Sequence, residues 1–148
     1  MEVAKNSKAR FEYEIIEEFE AGIVLTGSEV KSMRLKKASI VDSYGVIKGN
    51  EVFLINMRVE PYLHGHHFNH EPVRSRKLLL HKNEISRLKS KLAEKGWALI
   101  PLKIYFKENR TVKILLGLCR GKKLHDKRQS IKDKDLSRDA MRELKSYK

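Results

Sequence analysis

Apolar and polar residues alternate along several short stretches of this chain, and a period of two residues is typical of half-buried β-strands. The first stretch begins at Phe11 and runs to Phe19, with Ile16 interrupting the alternation. Four further stretches form two pairs, 40–47 with 52–59 and 97–106 with 111–119. A few turn-forming residues separate the members of each pair, so the pattern predicts two β-hairpins among about six short strands.

Two other stretches carry helix signals. Gly27 opens a predicted short helix in which Ser28 is the expected N-cap and Glu29 lies in the first turn, where the helix dipole favours an anion. Asn83 is expected to cap a second helix, which has one apolar face and ends before Gly96. Short antiparallel strands with few helices are typical of small closed barrels.

These elements predict a fold that is mainly β with flanking helices, namely a small antiparallel OB-like β-barrel with two or three helices. Residues 1–10 are expected to form a flexible N-terminal arm, residues 11–120 the barrel, and residues 121–148 a basic C-terminal tail. The tail contains good helix formers but only a narrow apolar stripe. We therefore expect it to be frayed when free and helical when bound to a partner.

Charge separates the tail from the barrel and indicates the kind of partner. The chain has 34% charged residues and a formal net charge of +13. Residues 120–148 contain 11 Lys or Arg and 5 Asp or Glu, a net charge of +6 within 29 residues. A strongly basic small protein usually binds a polyanion, and such a density of cations suits nucleic-acid phosphates. The alternative, a tail that only improves solubility, stays open at this point.

Several classes of protein are disfavoured. The single cysteine, Cys119, excludes an intrachain disulfide and fits a reducing compartment. No apolar stretch is long enough to span a membrane and no signal peptide is present, so a cytoplasmic protein without membrane contact is expected. No nucleophile elbow, phosphate-binding loop or zinc-protease helix occurs, so we expect no enzymatic activity, no cofactor and no metal.

Basic and aromatic residues are interleaved in a way that favours RNA. Basic residues flank the apolar run 78–80 and the end of the last predicted strand, and possible stacking side chains accompany them: Tyr44, Tyr62, Phe68 and Tyr105. Such a set suits unstacked RNA bases and RNA phosphates on a barrel surface. Two rivals remain: a ribosomal protein that binds structural RNA, and a metal-dependent RNA-processing enzyme that uses the histidines of loop 61–75.

Seven sequence blocks resemble the SsrA-binding protein (small protein B) family, in the family's order and over nearly the whole chain. They are GIVLTGSEVKSMR at 22–34, DSY at 42–44, PY at 61–62, NHEP at 69–72, RKLLLH at 76–81, GKK at 121–123 and DKR at 126–128. The resemblance implies a partner of transfer-messenger RNA (tmRNA) that brings this RNA to stalled ribosomes for trans-translation. It further implies a monomer that contacts the small ribosomal subunit, and elongation factor Tu only indirectly through the charged RNA.

The same resemblance implies three groups of binding residues. The residues expected to bind the tRNA-like domain of tmRNA are Glu29, Leu79, Lys113, Arg76, Lys77, Asn69 and Tyr44. Those expected at the ribosomal decoding centre are Gly121, Lys122, Lys123, His125, Asp126, Lys127 and Arg128. Those expected in the empty mRNA channel are Lys132, Lys134, Arg138, Arg142 and Leu144. For Glu29 a purely helix-stabilising role stays open, and for Leu79 a place in the core.

Overall fold

The computed structural model describes residues 1–63 and 69–122. Within these residues the strands are β1 (Glu2–Lys5), β2 (Tyr13–Ile23), β3 (Ala38–Ser39), β4 (Tyr44–Lys48), β5 (Glu51–Ile55), β6 (Arg58–Val59), β7 (Arg76–Leu79), β8 (Trp97–Lys107) and β9 (Thr111–Gly121). The helices are α1 (Ala9–Glu12), α2 (Gly27–Arg34) and α3 (Lys82–Leu92). None of these helices is both long and apolar enough to cross a membrane.

Six of the strands close into an antiparallel ring, which confirms the predicted OB-like barrel. The order is β8-β4-β5-β7-β2-β9, and β9 pairs with β8 to complete the ring. The contact between β4 and β8 is narrow, with Gly45 opposite Leu99. A Cβ atom on Gly45 would lie 2.5 Å from Cδ2 of Leu99, so only glycine allows this close approach.

The core lies inside the ring and follows the predicted alternation. On β9, the side chains that point inward are Val112, Ile114, Leu116 and Leu118. On β2 the alternation fails at Ile16, which is 46% exposed, because the pairing with β9 shifts register between Ile15 and Glu17. A bulge of this kind adds one residue to a strand and reverses the facing of those that follow.

The first ten residues are ordered, so the predicted flexible N-terminal arm is a wrong prediction. Strand β1 pairs with β8, and Val3 is 7% exposed against the core. The backbone N–H of Asn6 donates to the carbonyl of Leu102 at 2.8 Å. Because β4 covers β8 only near Leu99, the second half of that edge would otherwise be unpaired, and β1 fills it.

Two predicted strands are each interrupted by a residue with positive φ. Stretch 40–47 is divided into β3 and β4 by a turn at Asp42 (φ 64°), and stretch 52–59 into β5 and β6 by Asn56 (φ 64°). Asn and Asp adopt this conformation more readily than other non-glycine residues. Both predicted hairpins are confirmed, with Gly49 (φ 62°) turning the first and Asn109 (φ 57°) lying in the second.

The helix boundaries also differ from the prediction. Thr26, not Ser28, caps α2, because its side chain accepts from the backbone N–H of Glu29 while Glu29 bonds back to the Thr26 N–H. This reciprocal pair is a capping box. Helix α3 begins at Lys82 after His81 rather than at Asn83.

Candidate nucleic-acid interface

A row of residues from four adjacent strands crosses the outer face of the barrel. Leu79 on β7 lies opposite Gly22 on β2, Gly22 lies opposite Lys113 on β9, and Lys113 lies opposite Tyr105 on β8. Residues directly opposite one another in antiparallel strands point to the same face. Leu79 is 52% exposed, so it is not a core residue. The ring thus places two predicted RNA-binding residues, Leu79 and Lys113, on one surface.

Gly22 determines how closely Leu79 lies over the neighbouring strand. A Cβ atom built on Gly22 would be 3.3 Å from the Cβ atom of Leu79 and 3.4 Å from its Cδ1 atom. These distances are tighter than ordinary van der Waals contact, so the leucine occupies the space that any side chain at position 22 would need. The apolar side chain is therefore held flat on the sheet, between β7 and β9.

The row borders a hollow of about 390 Å³. Its lining combines apolar, cationic and hydrogen-bonding groups: Glu20, Gly22, Leu79, Leu80, His81, Glu84 and Lys113. The volume lies within the range of about 300–1,000 Å³ typical of small-ligand sites. An exposed apolar surface beside a cation can receive an unstacked base and its phosphate together. This hollow is the candidate site.

Glu20 is the carboxylate that faces this hollow, and the sequence analysis did not identify it. Its Oε1 accepts from Nζ of Lys107 at 2.9 Å and its Oε2 from the hydroxyl of Tyr105. These hydrogen bonds lower the pKa of Glu20 below its ordinary value. Burial, together with the bond to Glu20 and its charge, raises the pKa of Tyr105 to about 12. At neutral pH, Glu20 is therefore an anion held by a neutral phenol and an ammonium group.

Glu29 lies beneath the surface instead. Its side chain is fully buried, and its carboxylate accepts hydrogen bonds from the Thr26 N–H at 2.8 Å, from Arg74 at 2.6 and 3.1 Å, and from Nε of Arg76 at 2.5 Å. Burial raises the pKa of Glu29, but the bonds from Arg74 and Thr26 and the charge of Arg76 outweigh it and leave the pKa below its ordinary value. In this conformation Glu29 has no surface with which to contact RNA.

Arg76 is the second predicted RNA-binding residue that the structure buries. Its guanidinium is fully enclosed and donates to Glu29 and to backbone carbonyls, including Met57 at 2.8 Å and Arg74 at 3.0 Å. Arg76 therefore joins α2, the start of β7 and the segment after β5. Its role in this structure is to hold together the elements that support the hollow.

His70 is the one described histidine of loop 61–75, and both of its ring nitrogens have partners. Nδ1 lies 2.8 Å from the Ser28 hydroxyl and Nε2 lies 2.9 Å from the Val59 carbonyl. Because a carbonyl only accepts, we assign the proton to Nε2. His64, His66 and His67 lie outside the described residues. Within residues 1–63 and 69–122, no group of three or more His, Cys, Asp or Glu is placed to hold a metal ion.

Comparison with known proteins assigns the chain to a family. A sequence model of the SmpB protein matches residues 3–146. The chain belongs to the SmpB protein family.

Relatives named SsrA-binding protein match this SmpB-family chain over almost its full length. The protein of Chlorobaculum tepidum is 56% identical over 142 residues, which is 96% of this chain and 90% of that protein. The protein of Allorhizobium ampelinum is 54% identical over 144 residues, 97% of this chain and 91% of that protein. The protein of Staphylococcus haemolyticus is 52% identical over 143 residues, 97% of this chain and 91% of that protein.

The fold agrees with a solved SmpB structure. A chain from the structure described as "tmRNA-SmpB: a journey to the center of the bacterial ribosome" superposes with a TM-score of 0.70. The two chains are 46% identical, and the match covers 86% of this chain and 92% of the other. The family and the barrel architecture therefore rest on sequence and structure together.

Three other residues that the resemblance to the SmpB family pointed to lie apart from the hollow. Tyr44 lines a separate cavity of about 610 Å³ beside Trp97. Asn69 bonds to the backbone of Tyr62 at both ends of its amide, at 2.9 and 2.7 Å. Lys77 lies 3.4 Å from Glu51 on the adjacent strand.

The predicted decoding-centre segment of this SmpB-family chain is only partly described. The Gly121 N–H donates to the carbonyl of Gly96 at 2.9 Å, and the Lys122 N–H donates to the carbonyl of Glu12 at 3.3 Å. The remaining predicted ribosome-contacting residues lie outside the described residues: Lys123, His125, Asp126, Lys127, Arg128, Lys132, Lys134, Arg138, Arg142 and Leu144.

Proposed function

We propose that this protein is an RNA-binding adaptor that binds the tRNA-like domain of transfer-messenger RNA and delivers it to stalled ribosomes for trans-translation. Membership of the SmpB family supports the proposal, as do relatives named SsrA-binding protein and a structural neighbour described with tmRNA and the bacterial ribosome. The observation that carries it is the alignment of Leu79, Gly22 and Lys113 across three strands beside one hollow.

In this proposal the hollow receives an unstacked nucleotide. Leu79 provides the apolar contact for the base, Lys113 pairs with a phosphate, and Glu20 accepts hydrogen bonds from a base amino group or a 2′-hydroxyl. Glu29 and Arg76 act indirectly, by holding α2 and β7 in place beneath the surface. Lys77, Asn69 and Tyr44 remain proposed contacts on neighbouring surfaces.

The C-terminal segment supplies the second half of the proposed function. From Gly121 and Lys122 onward, the basic chain contacts the decoding centre and then the empty mRNA channel, because its cation density suits ribosomal RNA phosphates. The protein acts as a monomer in the cytoplasm without chemistry of its own, and it meets elongation factor Tu only through the charged RNA.

Filter binding with tmRNA and with a ribosomal RNA fragment of equal length tests this function. We expect tighter binding to tmRNA, with Leu79→Ala and Lys113→Ala each weakening it. Lys48→Ala provides the matched control, since this exposed lysine on β4 is outside the row. Equal affinity for the two RNAs would instead indicate a general ribosomal RNA binder.

A further inference from the structure

We propose that the hollow selects guanine, and that Glu20, held by Tyr105 and Lys107, is the residue that reads the base. This inference rests on the proposed function, because it assigns a nucleotide preference to the same site. It goes further by naming the base and the side chains that orient the reading group.

The hydrogen-bonding capacity of Glu20 supports a two-point contact. A carboxylate has about four acceptor sites, two on each oxygen. One site on Oε1 is used by Lys107 and one on Oε2 by Tyr105, which leaves one site on each oxygen. The Glu20 side chain is 40% exposed and lines the hollow, so the remaining sites are accessible to a base.

Guanine is the base whose donors match this pair of acceptors. Its Watson–Crick edge presents the N1–H and N2–H donors side by side, so that each can reach one carboxylate oxygen. Adenine and cytosine present one amino group beside a ring nitrogen that accepts, and that nitrogen would repel the second oxygen. Uracil has a single N3–H between two carbonyls. A charged carboxylate therefore favours guanine over the other three bases.

The two tethers determine whether both oxygens stay available. Tyr105 and Lys107 lie on β8, two residues apart, and approach Glu20 across β9 from the same side. Each holds a different oxygen, so the plane of the carboxylate is held at two points. Removing the Tyr105 hydroxyl releases Oε2 and lets the group rotate. We therefore assign Tyr105 and Lys107 as positioning residues.

The other groups that line the hollow do not distinguish bases in this way. Leu79 offers an apolar surface that suits any base, and Lys113 offers a cation that suits any phosphate. Glu84 is a second carboxylate, but its Oε1 accepts from the His81 N–H at 3.0 Å and so caps α3. Glu84→Gln is therefore the matched control for Glu20→Gln.

Fluorescence anisotropy with four labelled heptamers tests the inference on the full chain. Each heptamer is oligouridine with G, A, C or U at the centre, so the tail contributes equally to all four. We expect the guanine heptamer to bind between about 5-fold and 150-fold more tightly than the others, the range of one good bidentate base contact. Inosine, which lacks the 2-amino group, should fall between guanine and adenine.

The variants separate base reading from phosphate binding. Glu20→Gln should abolish the guanine preference, Tyr105→Phe should reduce it, and Glu84→Gln should preserve it. Lys113→Ala should weaken all four heptamers by the same factor. Four equal affinities in the wild-type protein, no detectable binding of any heptamer, or an unchanged preference in Glu20→Gln would overturn the inference.

The outcome is distinguishable from failure of the proposed function. If tmRNA binds specifically while the heptamers bind equally, only the guanine assignment is wrong. If guanine is preferred while tmRNA binds no better than ribosomal RNA, the adaptor function is wrong and the base preference stands.

Discussion

Replacing Glu29 by Gln should destabilise the fold without removing an RNA contact. The substitution keeps the size of the side chain but removes a charge that accepts four hydrogen bonds, from Thr26, Arg74 and Arg76. Arg76 is fully buried and would be left without its anion. Breaking one partner of a buried ion pair costs about 3–5 kcal/mol. That is a large part of the roughly 5–15 kcal/mol that stabilises a typical domain.

Urea unfolding of the wild-type and variant proteins at pH 7 measures this loss directly. Glu60→Gln is the control, because Glu60 pairs with Arg58 at 2.6 Å while both side chains are about half exposed. It should leave the unfolding midpoint almost unchanged, since solvent-exposed pairs contribute little. At temperatures where Glu29→Gln is folded, its affinity for tmRNA should equal that of the wild type. A stable variant with lost affinity would show that Glu29 contacts the RNA.

The pH dependence provides a second check with a definite sign. Because the folded-state pKa of Glu29 lies below its ordinary value of 4.5, its ionisation stabilises the protein above that pH. The stabilisation is lost as the pH falls through the folded-state pKa. The stability difference between wild type and Glu29→Gln should therefore be largest at neutral pH and shrink below about pH 4.5. A difference that is constant between pH 3 and pH 7 would contradict an ionised, paired Glu29.

Three further predictions test the row, the barrel closure and the tail. Lys113→Ala should lower tmRNA affinity and reduce the slope of log K against log salt by about one, since a phosphate contact releases counterions; an unchanged slope argues against such a contact. Gly45→Ala should cost about 1–3 kcal/mol in thermal or urea unfolding, because the added Cβ would lie 2.5 Å from Cδ2 of the buried Leu99. Gly27→Ala, where nothing lies within 4 Å, is its control. Deleting residues 129–148 should leave tmRNA affinity intact and abolish tagging on stalled ribosomes; normal tagging by the truncated protein would refute a role for the tail.

Much of the fold could be predicted from local patterns, because each strand must bury one face. Alternation along 111–119 places Val112 and Ile114 inside the barrel, and the turn signals place both hairpins. The N-terminal strand could not be predicted in this way, because residues 2–5 have little apolar content of their own. They are ordered by an unpaired edge of β8, which exists only once the ring has closed.

The candidate site illustrates the same division. The resemblance pointed to Leu79 and Lys113, and the ring brings them to one surface. It pointed to Glu29 as the acidic partner, whereas the structure buries Glu29 under Arg76 and presents Glu20 to the hollow. Both glutamates belong to polar positions of short elements, so local sequence does not distinguish a buried carboxylate from an exposed one.

The sequence by itself determined which residues are strand-forming, where the cations concentrate and which family the conserved-looking blocks resemble. These properties depend on residues that are close together along the chain. Only the tertiary structure decided which carboxylate reaches the surface, because Glu20 meets Tyr105 across 85 positions and Glu29 meets Arg76 across 47. The periodicity of a strand specifies the face on which its side chains lie, but ring closure specifies which strands become neighbours.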